Sequence, residues 1–154
     1  MNWEAIGAVG EMVGVVAVVA TLFYLSTQIR QSNRATQSES IQEASTAFNE
    51  LNILIAADES LAKIYRVGIK DLSALSEDER ERFSFFMLAT FHVFETLFFQ
   101  NRFGTIDPEF WEAEKRSLRT LVGMKGGREW WLANPFSFTD AFLEFVSVEI
   151  ENAT

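Results

Sequence analysis

Glu11 is a carboxylate inside an apolar stretch of the sequence. No charged residue occurs from Met12 to Ile29, and the apolar residues continue back past Glu11 to Ile6. An ionised carboxylate is costly in the middle of a bilayer and is tolerated where a partner or water accommodates it. The stretch contains no Lys, Arg or His, so a single chain offers Glu11 no countercharge.

Two arrangements accommodate Glu11, and both need several copies of the chain. A protonated carboxyl can form a hydrogen bond across a helix interface, or a ring of glutamates can face water in a symmetric oligomer. Glu4 lies one heptad earlier, in line with Glu11 on a helix. We therefore regard Glu11 and Glu4 as the intramembrane polar residues of a self-associating helix and as a candidate ion site.

A stripe of small residues lies beside Glu11. Gly7, Gly10, Gly14, Ala17 and Thr21 recur at steps of three and four, and Gly10 with Gly14 forms a G-x-x-x-G motif. Small residues let membrane helices approach closely and pack. The stripe predicts transmembrane association of the chain with itself. The competing interpretation is that Gly and Ala are simply common in membrane helices.

His92 and Glu95 form the second constellation with chemical potential. Three residues apart on a helix, they could supply two metal ligands or an acid/base pair. The chain has one His and no Cys, so no third ligand is evident. Phenylalanines flank the pair at Phe91, Phe94, Phe98 and Phe99. We expect a core histidine bonded to Glu95 or to a backbone carbonyl, with no catalytic residue, metal or cofactor, and hence no enzyme.

The apolar stretch carries the markers of a membrane span. Trp3 and Tyr24 are 21 positions apart, which is roughly 31 Å along a helix and close to the hydrocarbon thickness. Aromatic residues favour the two interfaces, and Arg30 and Arg34 follow the span with no basic residue before it. The positive-inside rule then leaves the N-terminus outside. A buried core helix or a signal peptide is the alternative, although the latter fits poorly without an early basic residue.

Helix signals dominate the rest of the chain. Asp58, Ser76 with Glu79, and Asp107 before Pro108 are start signals, while Gly104 is a stop signal. The last helix is expected to be capped from Ser137 or Thr139. An apolar seam follows helical spacing at Ile41, Ala44, Phe48, Leu51 and Ile55.

These signals predict an all-α fold. Residues 1–28 form the transmembrane helix, residues 29–57 its cytoplasmic extension, and residues 58–154 a bundle of about four or five further helices. The Phe-rich residues 83–99 resemble a second span, but crossing would place several basic residues outside, so they are expected to be the central core helix. Trp130 and Trp131 are interpreted as packing residues, with a surface at the membrane interface as the alternative.

Charge restricts the partners. The net charge is −9, whereas nucleic-acid binding needs a basic field. The expected partners are therefore the lipid bilayer, other copies of the chain, and an unidentified cytoplasmic protein. The absence of Cys agrees with a reducing compartment.

Four segments carry a family resemblance along nearly the whole chain. They are "MNWEAIGAVGEMVGVVAVVATLFYLSTQIRQSNRA", "FETLFFQNRFGTIDPEFW", "GGREWW" and "FSFTDAFLEFV". Together they resemble a widespread uncharacterised family of bacterial single-pass membrane-anchored helical proteins. The resemblance implies a bacterial inner-membrane protein with an anchor and a helical domain. It implies no activity and no catalytic residue.

Two functions of different classes follow as expectations. The first is a membrane-anchored homo-oligomeric scaffold or interaction module in which Glu11 fixes the register of the helices. The second is an oligomeric cation or proton channel with a Glu11 ring lining the pore. The scaffold is favoured because the line below Glu11 becomes apolar at Val15, Val18, Leu22 and Leu25.

Overall fold

The computed structural model describes residues 3–153 and, within them, the side chains of all residues except 3–10 and Val13. The described residues form six α-helices and no strand, which confirms the all-α class. The helices are α1 (Trp3–Ala57), α2 (Glu59–Gly68), α3 (Glu77–Phe103), α4 (Pro108–Gly123), α5 (Lys125–Ala133) and α6 (Asp140–Asn152). Short 3-10 turns occupy Leu72–Ala74 and Pro135–Ser137.

The chain divides into two compact units, Met1–Gln37 and Ser38–Thr154. Helix α1 contributes residues to both. In the second unit the predicted apolar seam of α1 faces the core: Ala44 is buried, and Phe48 and Leu51 are half-buried. Ser40 is also buried there.

Helix α3 is the centre of the second unit and packs against α2, α4 and α5. Its buried side chains are Phe83, Met87, Phe91, Phe94, Leu97 and Phe98. By length and composition it is also the one helix, among the described residues, that could cross a membrane, with 33% of its apolar window buried. A core helix meets the same criteria, and its six core side chains agree with the predicted central core helix. This observation does not cover residues 1–10 and Val13 of the predicted N-terminal span, which lie outside the described side chains.

Aromatic rings fill the space between α3 and α5. The Phe91 ring lies 5.3 Å from Trp130 and 4.7 Å from Trp131, between centroids. Both tryptophans are 3% exposed, and Trp130 Nε1 donates a hydrogen bond of 2.8 Å to Ser84 Oγ. The packing interpretation of the tryptophan pair is confirmed, and the surface interpretation is wrong.

The predicted helix ends are confirmed by their cap geometry. The Asp58 carboxylate accepts from the Leu61 N–H, and Ser76 with Glu79 forms a reciprocal capping box. Gly104 ends α3 in the left-handed region at φ 70°, which a glycine adopts without strain. These local signals fix where α2 and α3 begin and where α3 ends.

Gly126 allows α5 to approach α2 closely. Its N–H donates a hydrogen bond of 3.0 Å to the Ile69 carbonyl. A Cβ added at Gly126 would overlap the Gly68 carbonyl oxygen. The "GGREWW" segment therefore needs a glycine at this position for packing.

Candidate functional site

The described part of the predicted association stripe lies open on α1. Gly14, Ala17 and Thr21 are all exposed, and a Cβ added at Gly14 would meet no atom within 4 Å. The Thr21 hydroxyl donates to the Ala17 carbonyl at 2.8 Å, so its hydrogen bond stays within the helix. The three residues form one strip of small side chains, and no other described element of the chain covers them.

Other predicted residues of this segment fall partly outside the described side chains. Trp3, Glu4, Gly7 and Gly10 lie in the residues whose side chains are not described, so the structure does not test their predicted roles. Glu11 is described and is exposed.

Every described side chain from residue 11 to residue 36 is exposed, including Tyr24, Arg30 and Arg34. The large apolar side chains among them are Met12, Val15, Val16, Val18, Val19, Leu22, Phe23, Tyr24, Leu25 and Ile29. Four of these are consecutive, residues 22–25, and four consecutive residues sweep around a whole helical turn. Apolar surface therefore covers this part of α1 on all sides.

The His92 and Glu95 pair is a structural contact at the surface of the second unit. His92 Nδ1 lies 3.4 Å from Glu95 Oε2, and the His92 side chain is 50% exposed. The expected partner is correct, but the expected burial is wrong, because Phe91 and Phe94 point into the core while His92 lies on the adjacent face of α3. The other oxygen, Glu95 Oε1, accepts from both the N–H and the hydroxyl of Thr139 at 2.8 Å.

Glu95 therefore caps α6 from another helix. Thr139 is the N-cap residue, as expected, but its side chain makes no cap hydrogen bond and instead donates to Glu95. Among the described residues, no group of three or more His, Cys, Asp or Glu side chains is placed to hold a metal ion.

A groove of about 390 Å³ opens between α1, α2, α3 and α4 of the second unit. Four aromatic side chains line it. Phe48 and Phe94 have centroids 5.1 Å apart, and Tyr65 packs edge-on against Phe86 at 5.4 Å. Its volume lies in the range of small-molecule sites, roughly 300–1,000 Å³.

Glu114 is the one carboxylate that lines this groove. Burial raises the pKa of Glu114 and of Tyr65. No described side chain forms an ion pair with Glu114. Two basic residues of the same helix pair with other carboxylates, Lys115 with Glu112 at 2.6 Å and Arg119 with Glu149 at 2.7 Å. The groove thus joins an aromatic wall to an unpaired, half-buried carboxylate.

The sequence analysis did not identify this groove. The sequence indicates the groove only through polar residues that interrupt an apolar stripe on α4. The residues at steps of four, three and four are Phe110, Glu114, Ser117 and Leu121. Residues so spaced share one helix face. A carboxylate on the face that an apolar stripe predicts to be buried indicates either a buried ion pair or a site.

No family model, curated protein or solved structure matches this chain. The resemblance to bacterial membrane-anchored helical proteins therefore stays a prediction.

Proposed function

We propose that this protein is a membrane-anchored homo-oligomeric scaffold or interaction module. Residues 1–28 form a single transmembrane helix, and the chain from residue 29 onward lies in the cytoplasm of a bacterium. The helices associate through the small-residue stripe, and the cytoplasmic helical domain offers its surface to a protein partner.

One observation carries the proposal: apolar side chains are exposed on every side of α1 between Met12 and Ile29. A helix of a soluble domain buries one apolar face and exposes a polar one, whereas a helix that is apolar all round needs apolar surroundings on all sides. No element of the described chain covers these residues. Lipid is the surrounding that matches both their length and their composition.

The flanks supply the orientation. Arg30 and Arg34 follow the apolar stretch, and no basic residue precedes it. A translocated N-terminus with a cytoplasmic C-terminal domain obeys the positive-inside rule. The inner membrane of a bacterium is the location that fits this topology.

Reporter fusions after Thr154 test the anchor and its orientation together. A green fluorescent protein fusion should fluoresce in the membrane fraction, and an alkaline phosphatase fusion should be inactive, because phosphatase matures only outside the cytoplasm. The double variant Arg30→Glu/Arg34→Glu should raise phosphatase activity, whereas Arg116→Glu, far from the span, should not. An active phosphatase on the unaltered chain would contradict the proposed topology.

Self-association follows from the stripe and from Glu11. Small residues at Gly14, Ala17 and Thr21 allow close backbone approach in lipid, where the hydrophobic effect does not drive helices together. A repeat of three and four residues favours a left-handed crossing. The carboxyl of Glu11, beside the stripe, finds a hydrogen-bonding partner in a second copy.

A cation or proton channel is the second candidate, and it rests on Glu11. The carboxylate is exposed, and a ring of such groups in an oligomer is a recurring selectivity element. Flux through liposomes separates the two functions. A channel requires wild-type flux that is lost in Glu11→Gln at matched oligomer content, while the scaffold predicts no flux from either protein.

A further inference from the structure

We propose that the groove between α1, α2, α3 and α4 binds a small organic cation with an apolar body, such as an aryl or alkyl ammonium. The site involves Phe48, Tyr65, Phe86, Phe94 and Glu114. It belongs to the second unit and does not depend on the proposed anchor or on self-association.

The charge of the groove selects a cation. Glu114 is the carboxylate among the lining residues, and of the described residues that line the groove none is Lys, Arg or His. An anion would meet the Glu114 charge with nothing to compensate it. A cation supplies the ion-pair partner that the described chain does not give to Glu114.

Because the Glu114 carboxylate is half-buried, it should bind a cation more strongly than a fully exposed carboxylate would. The pKa of Glu114 is raised by burial alone, which means that its charged form has lost part of its hydration without gaining a hydrogen bond in return. A bound cation restores that stabilisation. An ion pair shielded from water is also stronger than one at an exposed site.

The aromatic wall selects an organic rather than a metal cation. Phe48 and Phe94 meet at 5.1 Å and Tyr65 meets Phe86 at 5.4 Å, so two ring pairs line the same groove as the carboxylate. Ring faces attract ammonium groups, and proteins hold quaternary ammonium ions in cages of aromatic rings. A metal ion would need several oxygen ligands, which the single carboxylate does not supply.

Two uncharged polar side chains of the groove, those of Thr90 and Ser117, already have hydrogen-bond acceptors and do not need one from the ligand. The Thr90 hydroxyl donates to the Phe86 carbonyl at 2.9 Å, and the Ser117 hydroxyl donates to the Ala113 carbonyl at 3.3 Å. Both donors are thus used within their own helices. The surface left to a ligand is mainly aromatic and aliphatic, and its other polar groups are the Asn52 amide and the Tyr65 hydroxyl.

Equilibrium dialysis of the full chain in a non-ionic detergent without ammonium groups, dodecyl maltoside, tests the site, with protein-free detergent as the blank. The probes are benzyltrimethylammonium, the neutral N-benzylacetamide and the anionic phenylmethanesulfonate. We expect the cation to bind saturably and more tightly than the other two. No saturable binding of the cation, or equal binding of N-benzylacetamide, would overturn the proposal.

Three variants locate the site. Glu114→Gln keeps the shape of the side chain and should weaken cation binding about fivefold, and Phe48→Leu should weaken it about threefold, as expected for a half-exposed cation site. Glu112→Gln removes the same charge from the same helix outside the groove and should bind like the wild type. Unchanged affinity in Glu114→Gln, or an equal loss in Glu112→Gln, would overturn the assignment. Helical content by circular dichroism verifies that each variant is folded.

Discussion

Arg119 and Glu149 join α4 to α6 through a hydrogen bond and an ion-pair contact to the same carboxylate oxygen. Arg119 Nε and Nη2 lie 2.8 and 2.7 Å from Glu149 Oε2. The Glu149 side chain is 6% exposed, whereas that of Arg119 is 36% exposed. A buried carboxylate is costly without its countercharge, so the loss of Arg119 should weaken the packing of α6 on α4.

Replacing Arg119 by Met should therefore destabilise the domain. We expect a loss of about 2 kcal/mol, below the value for a fully buried pair because water partly screens Arg119. The double variant Arg119→Met/Glu149→Gln should recover part of that loss, since its buried group is neutral. Urea unfolding followed by tryptophan fluorescence measures both. Wild-type stability in Arg119→Met would contradict this role.

Glu95 is expected to stabilise α6 rather than to take part in catalysis. Glu95→Ala removes the acceptor of the Thr139 N–H and should cost about 1 kcal/mol, the usual value of an N-cap. Glu95→Gln keeps an oxygen acceptor and should cost less. His92→Ala is the matched control, and it should change the free energy of unfolding by less than about 0.5 kcal/mol because the side chain is half exposed. A larger effect of His92→Ala than of Glu95→Ala would refute this ranking.

The close approach at Gly126 predicts that alanine variants of two neighbouring glycines differ in stability. Gly126→Ala forces a methyl group against the Gly68 carbonyl oxygen and should destabilise the domain by about 2 kcal/mol or more. Gly123→Ala places its Cβ 3.6 Å from Ala153 Cβ, an ordinary contact, and should be nearly neutral. Thermal unfolding of the two variants in the same detergent provides the comparison. Equal melting temperatures would show that α5 does not need this approach.

Hydrogen bonds at helix starts lower the pKa values of three carboxylates below their ordinary range. These are Asp58, Asp71 and Glu79. The pKa of Asp58 is lowered mainly by the Leu61 N–H, with a contribution from Arg82 at 2.8 Å. The pKa of Asp71 is lowered mainly by the Ser73 hydroxyl. Each carboxylate accepts hydrogen bonds best in its ionised form.

Acid should therefore weaken the domain through its caps. The pKa of Glu79 is likewise lowered, by its hydrogen bonds to Ser76. A lowered folded-state pKa gives stability that is present above the ordinary pKa values of 3.8 for Asp and 4.5 for Glu and is lost as the pH falls below them. Glu114 acts with the opposite sign because burial raises its pKa. The urea concentration at the midpoint of unfolding should stay constant from about pH 7 to 5 and then fall. Asp58→Asn should reduce that fall. If the midpoint of Asp58→Asn falls with pH as steeply as that of the wild type, the caps are not the origin of the pH dependence.

The parts of the fold that the sequence predicts are those set by residues close to one another in the chain. Capping at Ser76 and Glu79, Pro108 at the start of α4 and the stop at Gly104 depend on residues a few positions apart, so their outcome is readable without the tertiary structure. The all-α class, the starts of α2, α3 and α4, and the end of α3 follow from them. The apolar face of α3 follows from its spacing in the same way.

Long-range packing explains what the sequence does not predict. The cap of α6 comes from Glu95, 44 residues before Thr139, and no local pattern links the two. The exposure of His92 depends on which flank of α3 remains uncovered. The groove at Glu114 is formed by residues of α1, α2, α3 and α4, and no local pattern in the sequence links these four segments.

The subunit count of the full chain tests the central claim most directly. Native mass spectrometry of the protein released from detergent micelles should give a homo-oligomer of one defined size. The variant Gly10→Ile/Gly14→Ile should shift the protein to smaller assemblies, because β-branched side chains hold the helix backbones apart. Ile53→Val, outside the proposed span, is the control and should keep the wild-type size. A wild-type protein that is monomeric, or a double variant with an unchanged subunit count, would contradict self-association through the N-terminal helix.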